Sequence, residues 1–169
     1  LFLRLCSYAP RLHRDITALQ PFYIAMQQII FEYGGFIRQF VIDDKGGVLL
    51  VLWGVPGASF PNNCCRAVHC AADMVRRTKS LNHNCSIGIS TGTAYCGIVG
   101  SSTRKDYVAM SKMVNLAARL MMAAKGRVLL DESTRECLPI EVAKYIAACD
   151  VVSIKGFNEV NVFCFAANV

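Results

Sequence analysis

Apolar residues in this chain change period as the sequence is read, and the changes mark its elements. Residues 2–6 are apolar around Arg4 and read as a strand, which Pro10 ends. From Phe22 the set Phe22, Ala25, Met26, Ile29, Ile30 and Tyr33 recurs at helical spacing, so residues 12–33 read as a helix stopped by Gly34-Gly35. Pro21 fits that helix only in a first turn or at a kink. Residues 36–42 and 48–53 form two strand-length runs, with Asp43-Asp44-Lys45-Gly46-Gly47 as the hairpin loop between them. Asn62 or Asn63 caps a second helix whose apolar side is Cys64, Ala67, Val68, Ala71, Ala72 and Val75. Residues 85–90 and 94–99 are the next strands.

Ser111 then caps a helix over 112–124, ended by Gly126, with Met113, Leu116, Ala117, Leu120 and Ala124 on its core side. Residues 128–130 make a short strand, and Asp131 caps a short helix that ends near Leu138-Pro139. A last hairpin pairs 151–154 with 160–165. This alternation predicts an α+β fold, an antiparallel-rich sheet with helices packed mainly on one face. No repeat or low-complexity segment interrupts it, so residues 1–169 read as a single domain. The chain opens inside a strand, as a piece of a longer protein would.

Composition narrows the class. Apolar residues make up 54% of the chain and charged residues 18%, which is a globular balance. No apolar run approaches the roughly 20 residues that span a bilayer. Nine cysteines, an odd number, sit mostly at apolar periodic positions without zinc-ligand spacing, so reduced thiols in a cytoplasmic protein are expected. The net charge of +6 has its densest cluster at Arg76, Arg77 and Lys79, where Asp73 stands four residues before Arg77. No aromatics interleave these residues, so the cluster reads as a solvated helix face and not as a nucleic-acid surface.

The candidate chemistry lies between Cys85 and Lys125. Two glycine-broken apolar runs are followed by Lys105-Asp106-Tyr107. The next helix then carries Asn115 and Arg119 one turn apart on one face. A planar cation beside a neutral hydrogen-bonding group suits a phosphoryl group with its sugar. Gly92 and Gly97 have P-loop spacing, but Ile98 and Val99 follow where that loop needs Lys and Ser or Thr.

The order strand, glycine turn, strand, Asp-Tyr and Asn-x-x-x-Arg helix resembles the catalytic domain of class III nucleotidyl cyclases. It is most similar to the second catalytic half of the soluble, bicarbonate-responsive adenylyl cyclases. The resemblance covers about residues 31–165 and is strongest over 87–122. It implies a ferredoxin-like core with further elements at the C-terminus. It also implies that Asn115 orients a ribose and that Arg119 stabilises charge on the α-phosphate while a 3′-hydroxyl attacks. Lys155, in Ser153-Ile154-Lys155-Gly156, falls where the family holds the terminal phosphates. Gln39 stands at the base-selecting lysine and Val108 at its aspartate or threonine partner.

The family's two metal-holding aspartates correspond to Arg4 and Gly47, neither of which ligates a cation. Asp43 and Asp44 read as solvated turn carboxylates. The resemblance therefore implies a complementary half that brings base pocket, Asn, Arg and Lys. A partner half would hold two Mg²⁺ or Mn²⁺ ions at a shared interface. Together they would convert ATP to 3′,5′-cyclic AMP and pyrophosphate. The alternative is a catalytically silent cyclase-homology domain with a regulatory or dimerisation role.

Overall fold

The computed structural model describes residues 2–8, 16–43, 46–81, 83–153, 156–157 and 159–165. The chain runs through β1 (Phe2–Tyr8), α1 (Ile16–Glu32), β2 (Phe36–Asp43), β3 (Gly46–Leu52), α2 (Asn63–Ser80) and β4 (Asn84–Ser90). In space these strands stand in the order β2-β3-β1-β4 with every pairing antiparallel. Strand–helix–strand, strand–helix–strand with that order is the ferredoxin-like unit. β5 (Tyr95–Gly100) and β6 (Lys105–Met110) form a separate two-stranded ribbon. Then come α3 (Lys112–Ala124), β7 (Val128–Asp131), α4 (Glu132–Glu136), α5 (Ile140–Ala143), β8 (Ile146–Ser153) and β9 (Glu159–Phe165). β7, β9 and β8 extend the sheet to seven strands beyond β4, and β4–β7 is its one parallel pair among the described residues.

Strand alternation decides what each face of the sheet buries. Leu49 and Val51 of β3, Ile87 and Ile89 of β4, and Val128 and Leu130 of β7 point to α1 and α2. There they meet Phe22, Met26, Ile30, Ala67, Val68, Ala71 and Met74, all buried. The intervening residues point the other way, where α3 lies: Leu52 packs with Ala117, and Leu129 with Leu116 and Leu120. α1, α2 and α5 thus share one face, and α3 takes the other.

Gly88 makes the second arrangement possible. A Cβ there would fall inside the carbonyl oxygen of Ala117 and the amide of Met121, and 2.9 Å from the Leu120 Cβ. The α3 backbone therefore rests directly on β4.

Four local expectations change. Residues 105–110, for which no strand is expected, pair with β5. The turn between them is held by the Ser101 amide donating to the Arg104 carbonyl at 2.8 Å and by Gly100 at φ 146°. α1 is described from Ile16, the expected residues 12–15 lying outside the described residues, and it continues through Pro21 in its interior, where one missing donor costs less than the burial of Phe22, Ala25 and Met26 gains. Asp73 pairs with Arg76 instead of Arg77, and it also accepts from the Tyr33 hydroxyl at 2.7 Å. β8 starts at Ile146, ahead of the expected 151, with a bulge between Ala148 and Asp150 that absorbs an irregular register.

Candidate functional site

α3 is fixed at its N-terminus before any ligand is considered. The Ser111 hydroxyl accepts from the Met113 amide at 3.1 Å and donates to the Thr93 carbonyl at 2.6 Å. The Ser90 hydroxyl donates to the Met113 carbonyl at 2.7 Å. These bonds tie the β4–β5 connection to the first turn of the helix. At the other end Lys125 takes a left-handed conformation, φ 49°, and Gly126 follows at φ 86°. Leu116, Ala117, Leu120, Met121 and Ala124 are buried, so the opposite face looks outward. Asn115 and Arg119 lie on that face, both exposed, and neither side chain hydrogen-bonds or ion-pairs among the described residues. A rise of about 6 Å separates them.

Beside α3 a cavity of about 410 Å³ opens between the β2–β3 hairpin and the β5–β6 ribbon. Gln39 and Val108, expected to belong to one base pocket, both line it. Its floor is Leu50, which pairs with Gln39, and Val114 of α3 closes it one residue before Asn115. Tyr107 anchors the ribbon against β2 through an edge-to-face contact with Phe36, centroids 5.6 Å apart.

Arg38 also lines this cavity, and sequence reasoning missed it. Strict alternation would send Arg38 and Gln39 to opposite faces. A register shift between Ile37 and Gln39 breaks the alternation and brings both to one cavity. No sequence signal marks that bulge; the only hint was a cation adjacent to the position where the family carries one.

Arg4 and Gly47 do not meet as two positions of one metal site would. Arg4 pairs with Leu50, and Gly47 pairs with Ser7, three positions along β1. Register rows an odd number apart lie on opposite faces of a sheet. Gly47 is on the α1 side, where an added Cβ would lie 3.2 Å from the Phe40 ring, and that ring stacks on Tyr23. Neither row, Arg4 with Leu50 and Gly88 or Ser7 with Gly47 and Cys85, contains a carboxylate. Among the described residues no three His, Cys, Asp or Glu side chains converge on a point that could hold a metal ion. The described residues at these two positions therefore do not fit a divalent cation. Asp43 ends β2 opposite Gly46, while Asp44 and Lys155 lie outside the described residues. Gly156, which follows Lys155, has φ 86°, as a hairpin turn requires.

Asp131 holds α4 and the β4–β5 connection together. Its buried carboxylate accepts from the amides of Thr134 at 3.0 Å and Thr91 at 3.3 Å, and from the Thr134 hydroxyl at 2.5 Å. Burial pushes its pKa up, and those hydrogen bonds oppose the rise.

A ferredoxin-like sheet with an accessory ribbon, and a helix whose Asn and Arg find no partner among the described residues beside a cavity, defines an α+β domain with one open polar face. The family profile described as the adenylate and guanylate cyclase catalytic domain matches residues 6–167, and the chain belongs to that family. Adenylate cyclase type 10 of Homo sapiens is 34% identical over 119 residues, which cover 69% of this chain and 7% of that protein. The chain thus spans under a tenth of the length of that relative. Among solved structures, the guanylate cyclase domain of RhGC from Catenaria anguillulae superposes with TM-score 0.84 at 19% identity, covering 98% of this chain and 94% of that one. The adenylyl cyclase CyaB from P. aeruginosa gives 0.80 at 24% identity, with 99% and 94% covered. At these identities the two structures speak for the fold. No helix among the described residues is long and apolar enough to cross a membrane.

Proposed function

We propose that this chain is the second catalytic half of a class III adenylyl cyclase, working in the cytoplasm on ATP at an interface with a metal-bearing partner half. The observation that carries this reading is the exposed, unpaired Asn115 and Arg119 of α3, one turn apart and next to the cavity of Arg38, Gln39 and Val108. Adenine would enter that cavity. The Gln39 amide both donates and accepts, and Arg38 supplies a cation at its rim. Asn115 would hold the ribose so that its 3′-hydroxyl faces the α-phosphate. Arg119 would carry fixed positive charge toward the phosphoryl oxygens, where negative charge grows during attack. Such preorganised donors are typically worth about 3 kcal/mol of barrier. Lys155 would hold the terminal phosphates. The substrate's own hydroxyl is the nucleophile, so the chain needs none. With no carboxylate at Arg4 or Gly47, the Mg²⁺ or Mn²⁺ ions fall to the partner half.

The test is an assay of the chain alone and then with a first catalytic half that carries both aspartates. Alone it should make neither cyclic AMP nor cyclic GMP; together they should make cyclic AMP. Robust turnover by the chain alone would refute the division of labour. A second reading, a silent homology domain that regulates its partner, is favoured by Gln39 and Val108, which give the base fewer side-chain partners than an acid–base pair would. Nucleotide binding absent even from the assembled pair would establish it.

A further inference from the structure

The sheet outruns its helices on the face away from Asn115 and Arg119. α1 and α2 cover its first strands, but beyond α2 only the short helices α4 and α5 lie over the β7-β9-β8 end among the described residues. A cleft of about 750 Å³ remains between α2 and α5, within the size range of small-molecule sites. Its α2 wall is Val68, Ala72 and Val75, whose spacing is one helical stripe. Val142 and Tyr145 form the facing wall, and Phe165 of β9 lies beneath.

The polar lining has one sign. Arg76, Lys79 and Arg127 border the cleft, and no carboxylate lines it among the described residues. Asp73 engages Arg76 from outside the cleft, and Lys79 enters no ion pair among the described residues. An apolar trough with a cationic border is complementary to a molecule with an apolar body and an anionic head. A neutral apolar ligand would gain nothing from the charge of Lys79, and a cation would be repelled.

We propose that the cleft between α2 and α5 binds a small amphiphilic anion, an alkyl or aryl body bearing one carboxylate or sulfonate. The body lies on Ala72, Val75 and Phe165 and the head lies at Lys79. The site is on the opposite face of the sheet from the cavity of Gln39 and Val108, so it stands independently of the nucleotide reading.

The probe is 1-anilinonaphthalene-8-sulfonate, followed by its fluorescence on the purified chain and displaced with decanoate or with uncharged decanol. One saturable site is expected, from which decanoate displaces the dye at least tenfold more effectively than decanol. Ala72→Trp, which fills the trough, should abolish it. Lys79→Glu should weaken it about tenfold without changing the unfolding temperature, since that side chain is exposed. Ile98→Glu on the exposed ribbon should leave it intact, which separates the cleft from other apolar surface. The proposal is overturned by absence of a saturable site, by dye binding that survives Ala72→Trp, or by decanol displacing as well as decanoate. A self-association of the wild-type chain that Ala72→Trp removes would make the cleft a protein interface, and that too would overturn it.

Discussion

Two helices present polar residues to solvent, and they differ in how far those residues are paired internally. On α2, Asp73 takes the Tyr33 hydroxyl from α1 and the Arg76 guanidinium from its own helix. Around Asp73 that face is closed by its own pairing, whereas Lys79 further along enters no ion pair among the described residues. On α3, Asn115 and Arg119 have the same helical spacing that pairs side chains elsewhere, yet they find no partner among the described residues. Their helix is nonetheless pinned by Ser111, Ser90 and the Gly88 contact. A rigid backbone beneath unspent donors is how a binding face differs from a merely solvated one.

The strongest way to break this contrast is to unseat α3. Gly88→Val places a side chain where the Ala117 carbonyl and Met121 amide already are, so it should destabilise the domain by about 3 kcal/mol or more. Urea unfolding reads this directly, and a midpoint equal to wild type would mean that α3 does not rest on β4 at that residue.

Base choice sharpens the contrast next, because it probes the cavity that adjoins the open face. Gln39 and Val108 should give the assembled pair a preference for ATP over GTP of roughly tenfold, about one hydrogen bond's worth. Gln39→Lys with Val108→Thr should raise it in competitive binding measurements. If Arg38→Ala abolishes the preference while that double variant leaves it unchanged, the bulged arginine is the selecting group and not its neighbour.

The smallest effect belongs to the closed face. Tyr33→Phe removes the bond to Asp73 and should cost about 1 kcal/mol. The hydrogen bond to Asp73, then burial, push the Tyr33 pKa up to about 12. A pKa raised on folding means stability that is complete below the ordinary value near 10 and is lost as pH rises through 12. The Phe variant lacks that loss, so the two unfolding curves should converge at strongly alkaline pH. A constant gap from neutral to pH 12 would show that the bond does not carry the difference.

Sequence made the period-3.6 helices and the first four strands legible because each buries a regular stripe. It also located Ser111 as a cap and Asn115 with Arg119 on an outward face. It failed where geometry departs from period. Residues 105–110 are a strand because β5 is beside them, and only two of the six, Tyr107 and Ala109, are packed into a core cluster. Arg38 joins the cavity through a bulge that residue identity does not announce. Arg4 and Gly47, which by resemblance stand where the family has its metal aspartates, are three register rows apart, a spacing that depends on register and that the sequence does not number.

Whether Arg119 acts on the reaction or merely decorates the fold is open to direct measurement. Measure kcat and ATP affinity for the pair assembled with wild-type chain, with Arg119→Ala, and with Arg76→Ala as the closed-face control. Arg119→Ala should lower kcat about 10²-fold with affinity nearly unchanged, because its charge matters most as the α-phosphate becomes pentavalent, and Arg76→Ala should leave kcat alone. Normal kcat in the Arg119→Ala pair would contradict a role in the reaction.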